Sequence, residues 1–185
     1  MPKIYCDYTL LESNHPNFND IKSKGIGGNV GKFLKTPQET CCIQLSYALN
    51  NSLLSISADY EYPDVRLATG KVRAIKDDQG YNYIYSTFDM KVYLDNKYFP
   101  CENYRGNSRA DLVKNIKGRT GIIGFGGRHI DLWNGSKYQW EDLYLNLWSI
   151  DENHAGDMTA LNGIYFWEIN SFLDFLSSEY GDGSN

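Results

Sequence analysis

The stretch from Gly121 to Gly135 leaves this chain the fewest choices of fold. Gly121-Ile122-Ile123-Gly124-Phe125 has the length and apolar content of a buried strand, and Gly126-Gly127 interrupts it. Arg128-His129-Ile130-Asp131-Leu132-Trp133 then leads into Asn134-Gly135, the dipeptide best suited to a tight hairpin turn. A return strand is expected from Ser136 to about Leu147. A two-residue turn would set Trp133 opposite Ser136 and Trp140 opposite His129. Because side chains alternate, His129, Asp131, Tyr138 and Asp142 are expected on one face of that hairpin.

Upstream, Lys35-Thr36-Pro37-Gln38-Glu39 combines a capping threonine, a proline suited to the first helical position and the Thr-x-x-Glu capping box. The expected helix runs from Pro37 to Asn50, with Cys41, Leu45, Ala48 and Leu49 on one face. Residues 16–36 are polar and Gly-rich, and within them Gly25–Lys32 reads as a plain glycine loop. Strand patterns flank a turn at Lys76 to Gly80, a short helix is expected over Ser108–Ile116, a strand near Ile164–Trp167 and a last helix near Phe172–Leu176. Early helices followed by a meander of strands make the class α+β. With 185 residues, 42% hydrophobic content and neither repeat nor charged linker, one domain over residues 1–185 is expected.

Composition removes several functions. Eighteen Lys and Arg against 23 Asp and Glu give a net charge of −5, the wrong sign for a phosphate-backbone binder. No apolar run approaches the roughly 18 to 20 residues of a membrane span, and Met1-Pro2-Lys3-Ile4-Tyr5-Cys6-Asp7 lacks the apolar segment of an export signal. The expectation is a chain made in the cytoplasm that leaves by a route reading no N-terminal signal. Gly25-Ile26-Gly27-Gly28-Asn29-Val30-Gly31-Lys32 fails the phosphate-loop spacing at Ile26 and Phe33 and the dinucleotide fingerprint at Val30, so no cofactor is expected there. Cys6, Cys41, Cys42 and Cys101 form no C-x-x-C, and adjacent cysteines make poor disulfide partners, which leaves free thiols. A metal on His129, Asp131 and His154 lacks the usual ligand spacing, and the tryptophans at 133, 140, 148 and 167 read as core before they read as a sugar surface.

What remains is nucleophilic chemistry. A thiolate needs a lowered pKa, and a helix N-terminus with a nearby imidazolium supplies it; Cys41 has the first of these. His15 and His154 fall in loops, whereas His129 lies on a predicted strand, the better-oriented base. Either Asp131 or Asp142 can orient that imidazole, and a bulge in the return strand would favour Asp142.

Two stretches together resemble a known family. Thr40-Cys41-Cys42-Ile43-Gln44-Leu45-Ser46-Tyr47-Ala48-Leu49-Asn50 resembles the Asn-x-Cys-Ala-Ile-Arg-hydrophobic-Ser-Tyr-x-Leu-Asn stretch of the fourth family of type VI secretion amidase effectors. Ile26-Gly27-Gly28-Asn29-Val30 is similar to its Ile-Gly-Gly-Lys-Val, and Gly121–Phe125 with His129–Ser136 to its Gly-Ile-Ile-x-Phe and His-x-x-Leu-Trp-Asn-Gly-Ser. The resemblance implies a papain-like, NlpC-related fold with Cys41 as nucleophile and His129 as base, Cys42 standing at the family's Ala and expected to tolerate that change. It also implies cleavage of the γ-D-glutamyl to meso-diaminopimelate bond of peptidoglycan stem peptides in the periplasm of a rival bacterium, after delivery by the type VI apparatus, with a cognate immunity protein as partner. The family's Asp eleven past the histidine falls on Trp140, so the expected orienting carboxylate is Asp142, with Asp131 next. Gln44 stands at the family's Arg and is expected to alter groove charge. Two other functions fit the same residues: a thiol deamidase or transglutaminase-like toxin acting on protein glutamine, and a non-catalytic cell-wall-binding module.

Overall fold

A computed structural model of the protein describes residues 4–35, 40–56, 72–104, 109–139 and 163–170. The described elements run β1 (Ile4–Tyr5), α1 (Tyr8–Ser13), α2 (Phe18–Ser23), α3 (Gly28–Leu34), α4 (Cys41–Asn51), β2 (Ala74–Lys76), β3 (Asn82–Ile84), α5 (Thr87–Lys97), β4 (Glu102–Asn103), α6 (Arg109–Ile116), β5 (Gly121–Phe125), β6 (His129–Trp133) and β7 (Ile164–Asn170). The class is α+β, with the N-terminal helices packed on a mostly antiparallel sheet of order β1-β7-β5-β6. β1 joins β7 in parallel and β4 joins the same edge of β7 antiparallel. β2 and β3 make a separate hairpin with Ala74 opposite Ile84.

Strand alternation sorts the core onto the two faces of this sheet. Ile122, Ile130, Leu132, Tyr165, Trp167 and Ile169 face Leu11 of α1, Leu45 and Leu49 of α4, and Met90 and Leu94 of α5. On the opposite face, Ile123, Phe125, Trp133 and Phe166 meet Leu112 and Ile116 of α6. The outer side of α4 is covered in turn, where Ile43 packs with Ile21, Val30, Leu34 and Tyr83. Apolar residues therefore cover α4 on both sides, which fixes where its first residue lies. Trp133 and Trp167 are fully buried core residues, and Trp140 and Trp148 lie outside the described residues.

The structure corrects three expectations. Helix α4 begins at Cys41 rather than Pro37, with Thr40 at the capping position; residues 36–39 lie outside the described residues. The Thr40 hydroxyl donates to the Gln44 side chain at 3.2 Å instead of accepting a backbone N–H. Asn134-Gly135 does not close a two-residue turn. The Asn134 side-chain oxygen accepts the N–H groups of Ser136 and Lys137 at 3.1 Å each, and this side-chain turn lengthens the loop so that Trp133 bridges to Tyr138. Trp140 and the rest of the expected return strand, with the expected helix near 172–176, lie outside the described residues. Third, the Gly-rich segment is not all loop, because it forms α3. Gly28 has φ +63°, and a Cβ there would stand 2.9 Å from the backbone of Lys76 and Asp77. These glycines let α3 approach the β2–β3 turn, a packing role.

Helices α1, α2 and α5 were not foreseen. For α5 the signal was present: Ser86 caps it, accepting from Asp89 N–H, and Met90, Tyr93 and Leu94 recur at helical spacing. On β5, a Cβ at Gly121 would lie 2.3 Å from the Trp167 carbonyl oxygen and 2.7 Å from the Phe166 ring. Gly121→Ala is expected to destabilise the protein by about 1–3 kcal/mol, read as a lower midpoint in urea, because backbone must move to admit the methyl group.

Candidate active site

Three elements converge on one cluster. Cys41 is the first residue of α4, at the positive end of an eleven-residue helix, and is 5% exposed. His129 is the first residue of β6 and Asp131 follows two along, on the same side of the strand, both buried. Asp131 Oδ2 lies 3.5 Å from His129 Nε2. His129 is also hydrogen-bonded to the Cys41 sulfur.

The electrostatics favour a charged pair. A hydrogen bond from the Cys42 thiol holds the Cys41 pKa well below the ordinary thiol value; burial opposes this, and the His129 imidazole and the Ile130 backbone N–H assist it. Cys42 is itself buried, and this bond gives it a part in thiolate stabilisation that its place at an alanine position did not suggest. Burial alone would depress His129, but the Asp131 carboxylate and the Cys41 sulfur outweigh it and push the imidazole up to about 9. A thiol lowered and an imidazole raised, each in part by contact with the other, is the charge pattern of a thiolate–imidazolium pair at neutral pH. Cys6 and Cys101 differ: burial first, aided by nearby acids, raises both to about 11, so they are poor nucleophiles. All four cysteines are free thiols.

β6 is held where this pair can form. Phe125 stands opposite His129 in the β5–β6 ladder, and the Phe125, His129 and Tyr138 rings lie within 6.4 Å of one another, centroid to centroid. The Thr87 hydroxyl donates to the Gly127 carbonyl at 2.7 Å, tying the β5–β6 turn to the start of α5.

His15, expected in a loop, does lie in one just past α1, yet it is 4% exposed, and its Nδ1 lies 3.8 Å from Asp131 Oδ1. No periodicity could reveal it, since its place depends on where the end of α1 docks. Gln44, expected in the groove, is 2% exposed and donates from Nε2 to the Pro16 carbonyl at 2.8 Å, fastening the residue after His15 to α4. Asn14 Nδ2 donates to the Asn51 carbonyl at 3.0 Å on the other side. Asp142 and His154 lie outside the described residues. Among the described residues no group of three His, Cys, Asp or Glu is arranged to hold a metal ion, and no helix is long and apolar enough to cross a membrane.

Comparison with solved structures places this architecture. The effector–immunity system Tae4/Tai4 from Salmonella typhimurium is similar over 92% of this chain and 99% of that one, at 23% identity and a TM-score of 0.62. The type VI effector Tae4 from Enterobacter cloacae is similar over 92% and 100%, at 17% identity and a TM-score of 0.58. At these identities the likeness is one of fold. No curated protein sequence matches the chain. The family described as type VI secretion system (T6SS), amidase effector protein 4, does match, over residues 38–167. That span holds both Cys41 and His129 with the strands that carry the latter, and it covers well over half of the sequence, so the chain belongs to the type VI secretion amidase effector 4 (Tae4) family.

Proposed function

We propose that this amidase effector hydrolyses the γ-D-glutamyl to meso-diaminopimelate bond of peptidoglycan stem peptides by a cysteine-peptidase mechanism. The observation that carries the reading is a thiol at a helix start, hydrogen-bonded to an imidazole that a buried carboxylate flanks. The Cys41 thiolate attacks the scissile carbonyl carbon, and the developing oxyanion is met by the backbone N–H of Cys41, which has no intrahelical acceptor at the first helical position. The His129 imidazolium gives its proton to the leaving amine as the C–N bond breaks, leaving a thioester. The neutral imidazole then takes a proton from water, whose oxygen attacks the thioester carbonyl and frees the Cys41 thiolate. Asp131 orients and charges the imidazole throughout; Asp142 is the other carboxylate offered for that role.

Substrate and setting follow from the family. An amidase carried by type VI secretion meets the cell wall of a recipient bacterium in the periplasm, and a producer must survive its own enzyme. The similar Salmonella typhimurium protein is solved in a type VI effector–immunity complex, and a cognate immunity protein is proposed as the partner of this chain.

The test is incubation of the purified protein with muropeptides, read by mass spectrometry. Two fragments whose masses sum to the substrate plus one water, with a free diaminopimelate amine on one, are expected. Intact muropeptides alongside deamidated protein glutamine would replace this reading with the deamidase one, and retention on sacculi without released peptide would replace it with a binding module.

A further inference from the structure

We propose that His15 is a positioning residue of this site, bracing one oxygen of Asp131 so that the other stays against His129. The inference rests on the assignment of Cys41 and His129 as the reacting pair and extends it by one residue.

Asp131 is wholly buried, and a buried carboxylate must be met on each oxygen. Its Oδ1 accepts the Leu132 backbone N–H at 2.8 Å and lies 3.8 Å from His15 Nδ1. Its Oδ2 lies 3.5 Å from His129 Nε2. Both imidazole distances exceed a direct N–H···O bond, so the rings flank a carboxylate that the Leu132 N–H already holds at Oδ1, and His15 supports the plane which that bond sets. Without the His15 ring packed beside Oδ1, the group can tilt about its Cβ–Cγ bond away from His129 while keeping the Leu132 bond. His15 is suited to the task because it cannot drift: its side chain is 1% exposed, Pro16 follows it, and Gln44 and Asn14 hold the segment to both ends of α4. The result is a closed circuit. It passes from Cys41 to His129, Asp131 and His15, and returns through Pro16 and Gln44 to the first turns of α4.

The charge state suits bracing. Burial lowers the His15 pKa below that of a free imidazole, with Asp131 and Cys41 opposing and His129 assisting, so His15 is neutral at neutral pH. A neutral ring leaves the Asp131 charge to His129, where a second imidazolium would compete for it. Among the described residues, the titratable groups acting on His15 are Asp131 and His129 from β6 and Cys41 from α4. From α1, Tyr8 senses both Glu12 and Asp131, and burial first, then these charges, raise its hydroxyl well above the usual phenol range.

Three variants separate bracing from mere packing. Asn at position 15 places an amide where Nδ1 stands, Gln reaches only toward Nε2, and Ala removes both. Two readouts are measured: kcat and KM on muropeptides across pH, and the rate of Cys41 alkylation by iodoacetamide across pH, read on the Cys41 peptide by mass spectrometry. The second needs no substrate and has an upper step where His129 loses its proton. His15→Ala and His15→Gln are expected to lower kcat about tenfold with little change in KM, and to move that step and the alkaline limb of activity down by about one pH unit. His15→Asn is expected to stay within about twofold of the parent, with its limb unmoved. A role in packing alone would reduce the folded fraction and leave the limb of the remaining enzyme in place. Unmoved limbs in Ala and Gln, or an Asn variant displaced as far as Gln, overturn the proposal; if Ala does not fold, the Asn and Gln pair decides. Cleavage persisting in Cys41→Ala would instead reject the reacting pair, a result distinct from any of these.

Discussion

Cys41→Ala is expected to abolish muropeptide cleavage, lowering kcat by on the order of 10⁵ to 10⁶-fold, with little loss of folded protein. The size follows from the chemistry: without the sulfur no thioester forms, and an imidazole beside an alanine methyl group has no strong nucleophile to activate. Stability should change far less. One buried atom is removed, a loss of about 1 kcal/mol and about 2–4 °C in Tm for a chain of this size. Cys42→Ala keeps the nucleophile but removes the hydrogen bond that most lowers the Cys41 thiol, so activity is expected to persist at a reduced level near neutral pH while the alkylation profile of Cys41 shifts upward in pH. Digestion assays on both variants, with circular dichroism melts, check the expectation. Cys41→Ala retaining activity would reject the nucleophile.

His129→Ala carries an expected loss of similar order, because the same imidazole serves leaving amine and incoming water. The graded version is more informative. The His129 imidazole is raised to about 9, burial opposing and Asp131 with Cys41 prevailing. The pair is active while His129 is protonated and Cys41 is not, so kcat/KM should hold through neutral pH and fall as pH rises through about 9. Asp131→Asn removes a negative neighbour, favours the neutral ring and so moves the alkaline limb to lower pH, with a fall in kcat on the order of 10³-fold. Asp142→Asn is the comparison for the other carboxylate. A limb that moves for Asp142 and not for Asp131 would transfer the orienting role to Asp142.

The corrections share a cause. Thr36 and Thr40 both offer a hydroxyl near the start of α4, and local preference cannot choose between them once Thr40 can bond to Gln44. Asn134-Gly135 is a strong two-residue turn signal, yet the Asn134 side chain can take over the loop's own N–H groups and lengthen it. In each case a polar side chain had two satisfactory partners of similar worth, and the surrounding packing selected one. Neither of these two corrections moves the proposed site residues apart. Cys41 moved closer to the helix terminus than expected, and His129 and Asp131 share a strand side by a parity that turn length does not alter.

The sequence by itself determined the α+β class, the β5 and β6 strands, the helix that carries Cys41 and the strand that carries His129, because each is written in short-range patterns of apolar spacing, capping and turn residues. Tertiary structure alone decided that the end of α1 brings His15 to Asp131 and that Gln44 is a buried fastener. Those roles depend on distances between residues far apart in the chain or on the hydrogen bonds of buried side chains. Such distances exist only once Ile43, Leu45 and Leu49 have sunk α4 between the sheet and the outer helices.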